Sequence, residues 1–217
     1  MPRTDATTPR ERYRAQVRAE VKEHAWEQIA TAGASALSLN AIARQMGMSG
    51  PALYRYFASR DDLITELIRE AYLSLDDTLR AASADGPDLA ALAHALRGWA
   101  LEDPQRYLLV YGTPVPGYHA PDDITGISGR IMATLLDACA ALAPEGPTTP
   151  FGAHLDGHRN WAGDHPAPST ALQRALTVWT RLHGLLSLEL AGHFGGMDFD
   201  PALLFEAELT ELLAPRA

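Results

Sequence analysis

Along most of this chain apolar residues recur at three- and four-residue spacing, and no stretch alternates persuasively between apolar and polar positions. That period places side chains on one face of a helix and is of no use to a half-buried strand, so the chain reads as all-α. Val17, Val21, Ala25 and Ile29 mark a first helix from about Arg10, widened by Trp26 and Ala32 and closed by Gly33. Ser38 caps a second helix of barely two turns, through Leu39, Ile42, Ala43 and Met46 to Gly47. A third starts at Ser49, carries Pro51 in its first turn where a missing N–H costs little, and ends near Ala58. Ser59 opens a fourth, with Ile64, Leu67, Ile68, Ala71, Tyr72 and Leu75 on one face. Beyond the Gly86-Pro87 break, helices are expected over about 88–101, 104–111, 123–142, 169–194 and 201–213. The segment 143–168 holds too many prolines and glycines for a helix and is expected to be a loop.

Charge divides the chain. Its 18 Lys/Arg and 27 Asp/Glu give a net −9, which as an average argues against a nucleic-acid partner. Residues 1–60, however, hold nine Lys/Arg against five Asp/Glu, a net +4, leaving −13 for the rest. Arg3, Arg10, Arg12, Arg14, Arg18 and Lys22 precede most of the apolar periodicity and read as a solvated basic arm leading into the first helix. No apolar run approaches the ~18 residues that cross a bilayer, and the polar start MPRTDATTPRER is unlike a signal peptide, so a cytoplasmic location without membrane contact is expected. The single cysteine, Cys139, lies on an apolar stripe and reads as a buried thiol.

The informative segment is Ser38 to Phe57, SLNAIARQMGMSGPALYRYF. Two short helices joined through Gly47, with Ile42, Ala43, Leu53 and Phe57 pointing inward, make a helix-turn-helix. Ser49, Ala52, Tyr54, Arg55 and Tyr56 are left to face solvent or a ligand, and hydroxyl and guanidinium donors suit phosphate oxygens. Here the chain resembles the N-terminal domain of TetR-type transcriptional regulators. The resemblance rests on Gly33, Ser38, Ile42-Ala43, Gly47-Met48-Ser49, Leu53-Tyr54-Arg55-Tyr56-Phe57 and Ser59-Arg60-Asp61-Asp62-Leu63. It departs from the family pattern at Gly50 and at Arg60, where lysine is usual. The resemblance and the chemistry together nominate Ser38, Ser49, Gly50, Pro51, Ala52, Tyr54, Arg55, Tyr56 and Arg60 as DNA contacts.

The later part is similar to a subgroup carrying a Trp-x-x-x-His-Gly element, here Trp179 to Gly184. Trp99, Tyr107, Tyr111, Met132, Trp179 and His183 are candidate linings for a small-molecule pocket. The expected layout is a basic flexible arm over 1–15, a three-helix DNA-binding domain over 16–62 and a helical ligand-binding and dimerisation domain over 63–217. Dimerisation is expected through 169–194 and 201–213, with Leu172, Leu176, Trp179, Leu186 and Leu190 on one face and Val178, Leu185, Phe205 and Leu209 elsewhere. His154, His158 and His165 with Asp156 and Asp164 fit no rigid ligand spacing, so no metal and no cofactor are expected. No phosphate loop, paired carboxylates or nucleophile elbow points to catalysis. The function so read is a DNA-binding repressor released from a palindromic operator by a small molecule, acting as a homodimer. Its rivals are a small-molecule-binding or catalytic helical protein whose helix-turn-helix is vestigial, and an architectural DNA binder without a sensor.

Overall fold

The computed structural model describes residues 8–112, 115, 117–142 and 149–214. Among them there are ten α-helices, two 3-10 turns and no strand. The helices are α1 (Pro9–Ala32), α2 (Leu39–Gln45), α3 (Gly50–Leu53), α4 (Arg60–Ala82), α5 (Leu89–Glu102), α6 (Pro104–Tyr111), α7 (Asp122–Ala141), α8 (Pro150–Asp156), α9 (Ser169–Leu190) and α10 (Pro201–Leu213). They group into two compact units that divide within α4, after Arg69, with Val115 and 117–119 belonging to the first unit. The expected boundary at 62/63 falls one to two turns earlier than that division.

Several expectations need correction. Residues 9–15 of the expected arm are helical, because the Thr8 hydroxyl accepts from the Glu11 amide at 3.3 Å while the Glu11 carboxylate accepts from the Thr8 amide at 2.7 Å. Residues 1–7 lie outside the described part. Ala32, expected on the buried stripe of α1, is exposed. The third helix is a single turn, not the ten residues of 49–58: after Leu53 the amides of Arg55 and Tyr56 reach back only three residues, to Ala52 and Leu53, and the ladder tightens into turns.

The segment 143–168 is not loop throughout. Thr149 caps α8 by accepting from the Gly152 amide at 3.0 Å, and Pro150 sits in the first turn, where its ring is tolerated. Leu155 is thereby buried against α9. Residues 143–148 lie outside the described part. α9 stops at Leu190 rather than 194, where Gly192 turns left-handed at φ 77° and the His193 amide takes the Leu188 carbonyl. α7 is long and apolar enough to cross a membrane by length and composition, contrary to the expectation for this chain. Its Ile124, Ile127, Ile131, Leu135, Leu136, Ala138 and Cys139 are instead buried within the protein. The Cys139 thiol among them is pushed up to about 12 by burial.

In the first unit Ile42, Leu53, Phe57, Leu63, Ile64 and Leu67 are fully buried and fix α2, α3 and the start of α4 against α1. In the second, α5, α6, α7, α9 and α10 share a core with the rest of α4, in which Leu75, Leu136, Tyr107, Leu172 and Phe205 are sealed from solvent.

Candidate nucleic-acid interface and sensor core

The first unit builds its outer surface from the turn upward. Ser38 accepts from the Ala41 amide at 3.3 Å, and its own amide donates to the Gln28 side chain at 2.9 Å, which ties α2 to α1. Gly47 takes φ 64°, a left-handed value that favours glycine, and lets the Met48 amide close on the Ala43 carbonyl at 2.8 Å. Gly50 lies beside α2: a Cβ there would come within 3.3 Å of the Asn40 Oδ1. The inward set of Ile42, Ala43, Leu53 and Phe57 is buried as the spacing requires.

Outside it, Ser49, Pro51, Tyr54 and Arg55 are exposed, while Ser38, Gly50, Ala52 and Tyr56 are half-buried. Tyr54 exposes 45% of its surface.

Two arginines assigned to a solvated arm have structural work instead. Arg18 donates to the Tyr56 carbonyl at 2.5 Å, lies 4.2 Å over the Phe57 ring and pairs with Glu66 at 3.3 Å. Arg14 donates to the Arg55 carbonyl at 3.3 Å and overlies the Tyr56 ring. Together they hold the carbonyls that end the recognition turn, a role that no spacing in the sequence announces. Arg60 folds inward as well: its guanidinium donates to the carbonyls of Leu37, Ala34 and Ser35 at 3.2, 2.8 and 3.2 Å. These bonds close the 3-10 turn Ala34–Ala36 that leads into α2. Arg44, at the end of α2, is exposed and was not singled out by the sequence.

In the second unit four of the six nominated pocket residues meet. Tyr107 and Tyr111 stand one turn apart on α6, with ring centroids 5.3 Å apart. Trp179 and His183 stand one turn apart on α9, at 4.1 Å, which is what the Trp-x-x-x-His spacing accomplishes. Tyr111 bridges the pairs, 4.2 Å from His183 and 5.6 Å from Trp179. Gly112 ends α6 beside it, and a Cβ there would fall 2.3 Å from the Leu108 carbonyl oxygen. The Tyr107 hydroxyl lies 2.9 Å from His183 Nδ1, 3.2 Å from the His183 carbonyl and 3.1 Å from Ser187 Oγ. Burial lowers the His183 pKa to about 4 and raises that of Tyr111, so both are neutral near pH 7.

Trp99 and Met132 do not join this cluster. The Trp99 indole donates to Ser74 Oγ at 3.1 Å, and Met132 is half-buried elsewhere against the core. Beside Trp179 is an apolar cavity of about 30 Å³ lined by aliphatic residues of α4, α5, α7 and α9, among them Leu75, Leu79, Leu96, Ile131 and Leu182. Sequence reasoning missed all of these, because a leucine lining a cavity has the same spacing signature as one in a packed core.

Of the residues expected to form a dimer face, Leu172, Val178, Leu185, Leu186, Phe205 and Leu209 are buried inside the protomer, and Leu176, Trp179 and Leu190 are half-buried. The apolar side chains left exposed around α9 and α10 are Leu188, Met197, Phe199 and Leu203, the last at 70%. Of the histidines, His154 and His158 stack on each other and His165 meets Asp137 at 3.1 Å. Among the described residues no three His, Cys, Asp or Glu converge on a common point.

Known proteins carry the same plan. Residues 23–67 match the family described as bacterial regulatory proteins, tetR family, and residues 89–212 match the tetracyclin repressor-like C-terminal domain. HTH-type transcriptional regulators of Mycobacterium tuberculosis and Mycobacterium bovis are each 37% identical over 217 residues, covering 93% of this chain and 92% of theirs. The crystal structure of SCO4313 is 72% identical, covers 96% of this chain and all of its own, and superposes with a TM-score of 0.88. A structure from Rhodococcus sp. RHA1, 23% identical over 91% of this chain and 93% of its own with a TM-score of 0.63, shares the fold.

Proposed function

This chain belongs to the tetR family of bacterial transcriptional regulators, and from that premise we propose that it is a homodimeric repressor that leaves a palindromic operator when a small molecule enters its second unit. The observation that carries the reading is the Ser49 to Tyr56 turn, held by Arg14 and Arg18 and exposing Ser49, Pro51, Tyr54 and Arg55. Ser38, Ser49, Gly50, Pro51, Ala52, Tyr54, Arg55 and Tyr56 are the proposed DNA contacts, with Arg44 added. Arg60 is assigned instead to holding the approach to α2, since its donors are taken by carbonyls. A DNA partner places the protein in the cytoplasm, and regulation rather than catalysis is its task.

Two copies are needed because one short turn in a major groove discriminates weakly, whereas a two-fold dimer reads two half-sites. Support for a dimer face comes from Leu188 and Leu203, which leave apolar surface on α9 and α10, and from Gly184, exposed one turn before Leu188 with open space where a Cβ would be.

Release is a population shift. The cavity beside Trp179 is far below the roughly 300 Å³ that a bound ligand needs. An effector must therefore favour a different, opened arrangement of the core. α4 is the element positioned to transmit that change. Leu75 and Leu79 line the cavity, and between them Asp76, 1% exposed, takes two donors from Arg130 of α7 at 3.0 and 2.9 Å. Parting α4 from α7 therefore disturbs the helix whose first residues belong to the reading unit.

The test is to select bound sequences from a random DNA pool and then measure operator affinity with and without candidate compounds. A palindromic site and a ligand-dependent loss of affinity are expected. Operator affinity that no bound compound alters would favour the architectural reading, to which the small size of the cavity is also suited.

A further inference from the structure

Inside the aromatic cluster two polar atoms are sealed from solvent with no hydrogen-bond partner: Tyr111 Oη and His183 Nε2. Buried polar atoms are ordinarily paired, because leaving one unpaired forfeits its hydration without return. Both belong to side chains that touch Trp179, which also lines the apolar cavity, so the two orphans and the cavity share a wall.

The hydrogen-bond pattern fixes what is missing. Tyr107 has one proton and three polar neighbours. The His183 carbonyl can only accept, so using all three contacts requires the Tyr107 proton to point at that carbonyl. The Tyr107 oxygen then accepts from His183 Nδ1–H and from the Ser187 hydroxyl. In that tautomer His183 Nε2 carries a bare lone pair, an acceptor that lacks a donor. Tyr111 can give or accept one bond.

Charge restricts the occupant further. Every described arginine of the second unit already holds a carboxylate or a backbone carbonyl: Arg80 and Arg130 hold acidic side chains of α4, Arg97 holds Glu189, Arg106 holds Asp103, Arg181 holds Glu208, and Arg159 and Arg174 hold carbonyls. Arg174 leaves its Nε unpaired but stands more than two turns before His183 on α9, with its guanidinium on the Leu142, Leu212 and Ala214 carbonyls. An anion at the aromatic cluster would therefore find no cation beside it, and a cation there would face a neutral imidazole.

We propose that the effector is a neutral, largely apolar molecule bearing a hydroxyl or N–H group, which donates to His183 Nε2 and meets the Tyr111 hydroxyl while its apolar body enlarges the leucine-lined cavity beside Trp179. This rests on the sensor reading above and names the ligand chemistry of that site.

Three probes on one skeleton separate the possibilities: 4-butylphenol, butylbenzene and 4-butylbenzoate. Binding to the full-length protein is measured by calorimetry, and operator release by gel shift, as independent readouts. The phenol is expected to bind about tenfold more tightly than butylbenzene, the value of one buried hydrogen bond to an otherwise orphaned atom, and the benzoate to bind most weakly. Tyr111→Phe should reduce the preference for the phenol by a few-fold, and His183→Phe should abolish it, with circular dichroism checking that each variant folds. Equal or tighter binding of butylbenzene, a preference for the benzoate, or binding of none of the three to the wild-type protein overturns the proposal, whatever the variants do. Phenol binding with the expected preference but with unaltered operator affinity upholds the ligand chemistry and overturns the sensor role.

Discussion

The two units solve opposite problems. In the first, the groups proposed to act lie outside: Arg14 and Arg18 hold the Arg55 and Tyr56 carbonyls and Arg60 holds those of the approach to α2, while Tyr54 and Arg55 stay on the surface. In the second, the groups proposed to act lie inside, and two of their polar atoms are left unsatisfied. A surface that binds DNA must be rigid and complete before its partner arrives, since phosphate contacts act through position. A sensor core gains from being incomplete, because an unpaired buried atom is a free-energy difference that a ligand can collect.

If that contrast is right, ion pairs should matter more in the second unit than in the first. Arg130→Ala strips the main partner from Asp76, which is almost wholly buried, and leaves only Arg80 at 3.6 Å from the same oxygen. A loss of about 3 to 4 kcal/mol in urea unfolding is expected, as for a buried charge deprived of its partner. A loss under about 1 kcal/mol would mean that the pair behaves as a surface bridge and the contrast fails.

The buried imidazole provides the next largest effect. His183 has its pKa lowered to about 4 from 6.5, so below pH 6.5 the unfolded chain binds the proton more readily than the folded one. Its contribution is fully present above pH 6.5 and is lost as pH falls toward 4. Between those limits, at about pH 4.5, roughly 2 to 3 kcal/mol should have gone. The difference between wild type and His183→Asn isolates this from the carboxylates that titrate in the same range. A difference independent of pH would place His183 in water.

Within the first unit, arginines that hold carbonyls are expected to part company with arginines that face outward. Arg60→Ala should lower stability by about 1 to 2 kcal/mol and leave the salt dependence of operator affinity unchanged. Arg55→Ala and Arg44→Ala should scarcely affect stability, and each should flatten that slope by about 0.9. Tyr54→Phe removes an uncharged contact and should weaken affinity with no change of slope. A slope change in Arg60→Ala would show that its side chain swings out to a phosphate.

The smallest effect asks whether α9 ends at solvent. At Gly184 a Cβ meets nothing, so Gly184→Ala should stabilise an isolated helix face by about 1 kcal/mol. Under the dimer proposal the same methyl intrudes on a partner, and the dimer dissociation constant should rise instead, as read by analytical ultracentrifugation.

Much of the first unit could be read from its residues. The helix-turn-helix is a local object, in which Ser38, Gly47, Ser49 and the inward set of Ile42, Ala43, Leu53 and Phe57 lie within twenty residues of one another. The all-helical character followed equally from periodicity, and Trp179 with His183 followed from being one turn apart. The length of α3 did not follow, because the carbonyls that end it are held by α1, some forty residues away in sequence. Nor did α8, whose Thr149-Pro150 start signal was masked by the abundance of proline around it.

By itself, then, the sequence determined the all-helical class, the reading turn and the charge contrast of +4 against −13, since each depends on neighbours a few residues apart or on simple sums. Only the tertiary structure decided which arginines are braces and which are free to meet a phosphate. It also decided that Trp99 and Met132 stand apart from the aromatic cluster, and that Leu188 and Leu203 rather than Val178 and Phe205 remain uncovered. The physical reason is common to all three. A side chain's period says which face it is on, but only the elements packed against that face say whether its polar atoms find a partner and whether its apolar surface finds cover.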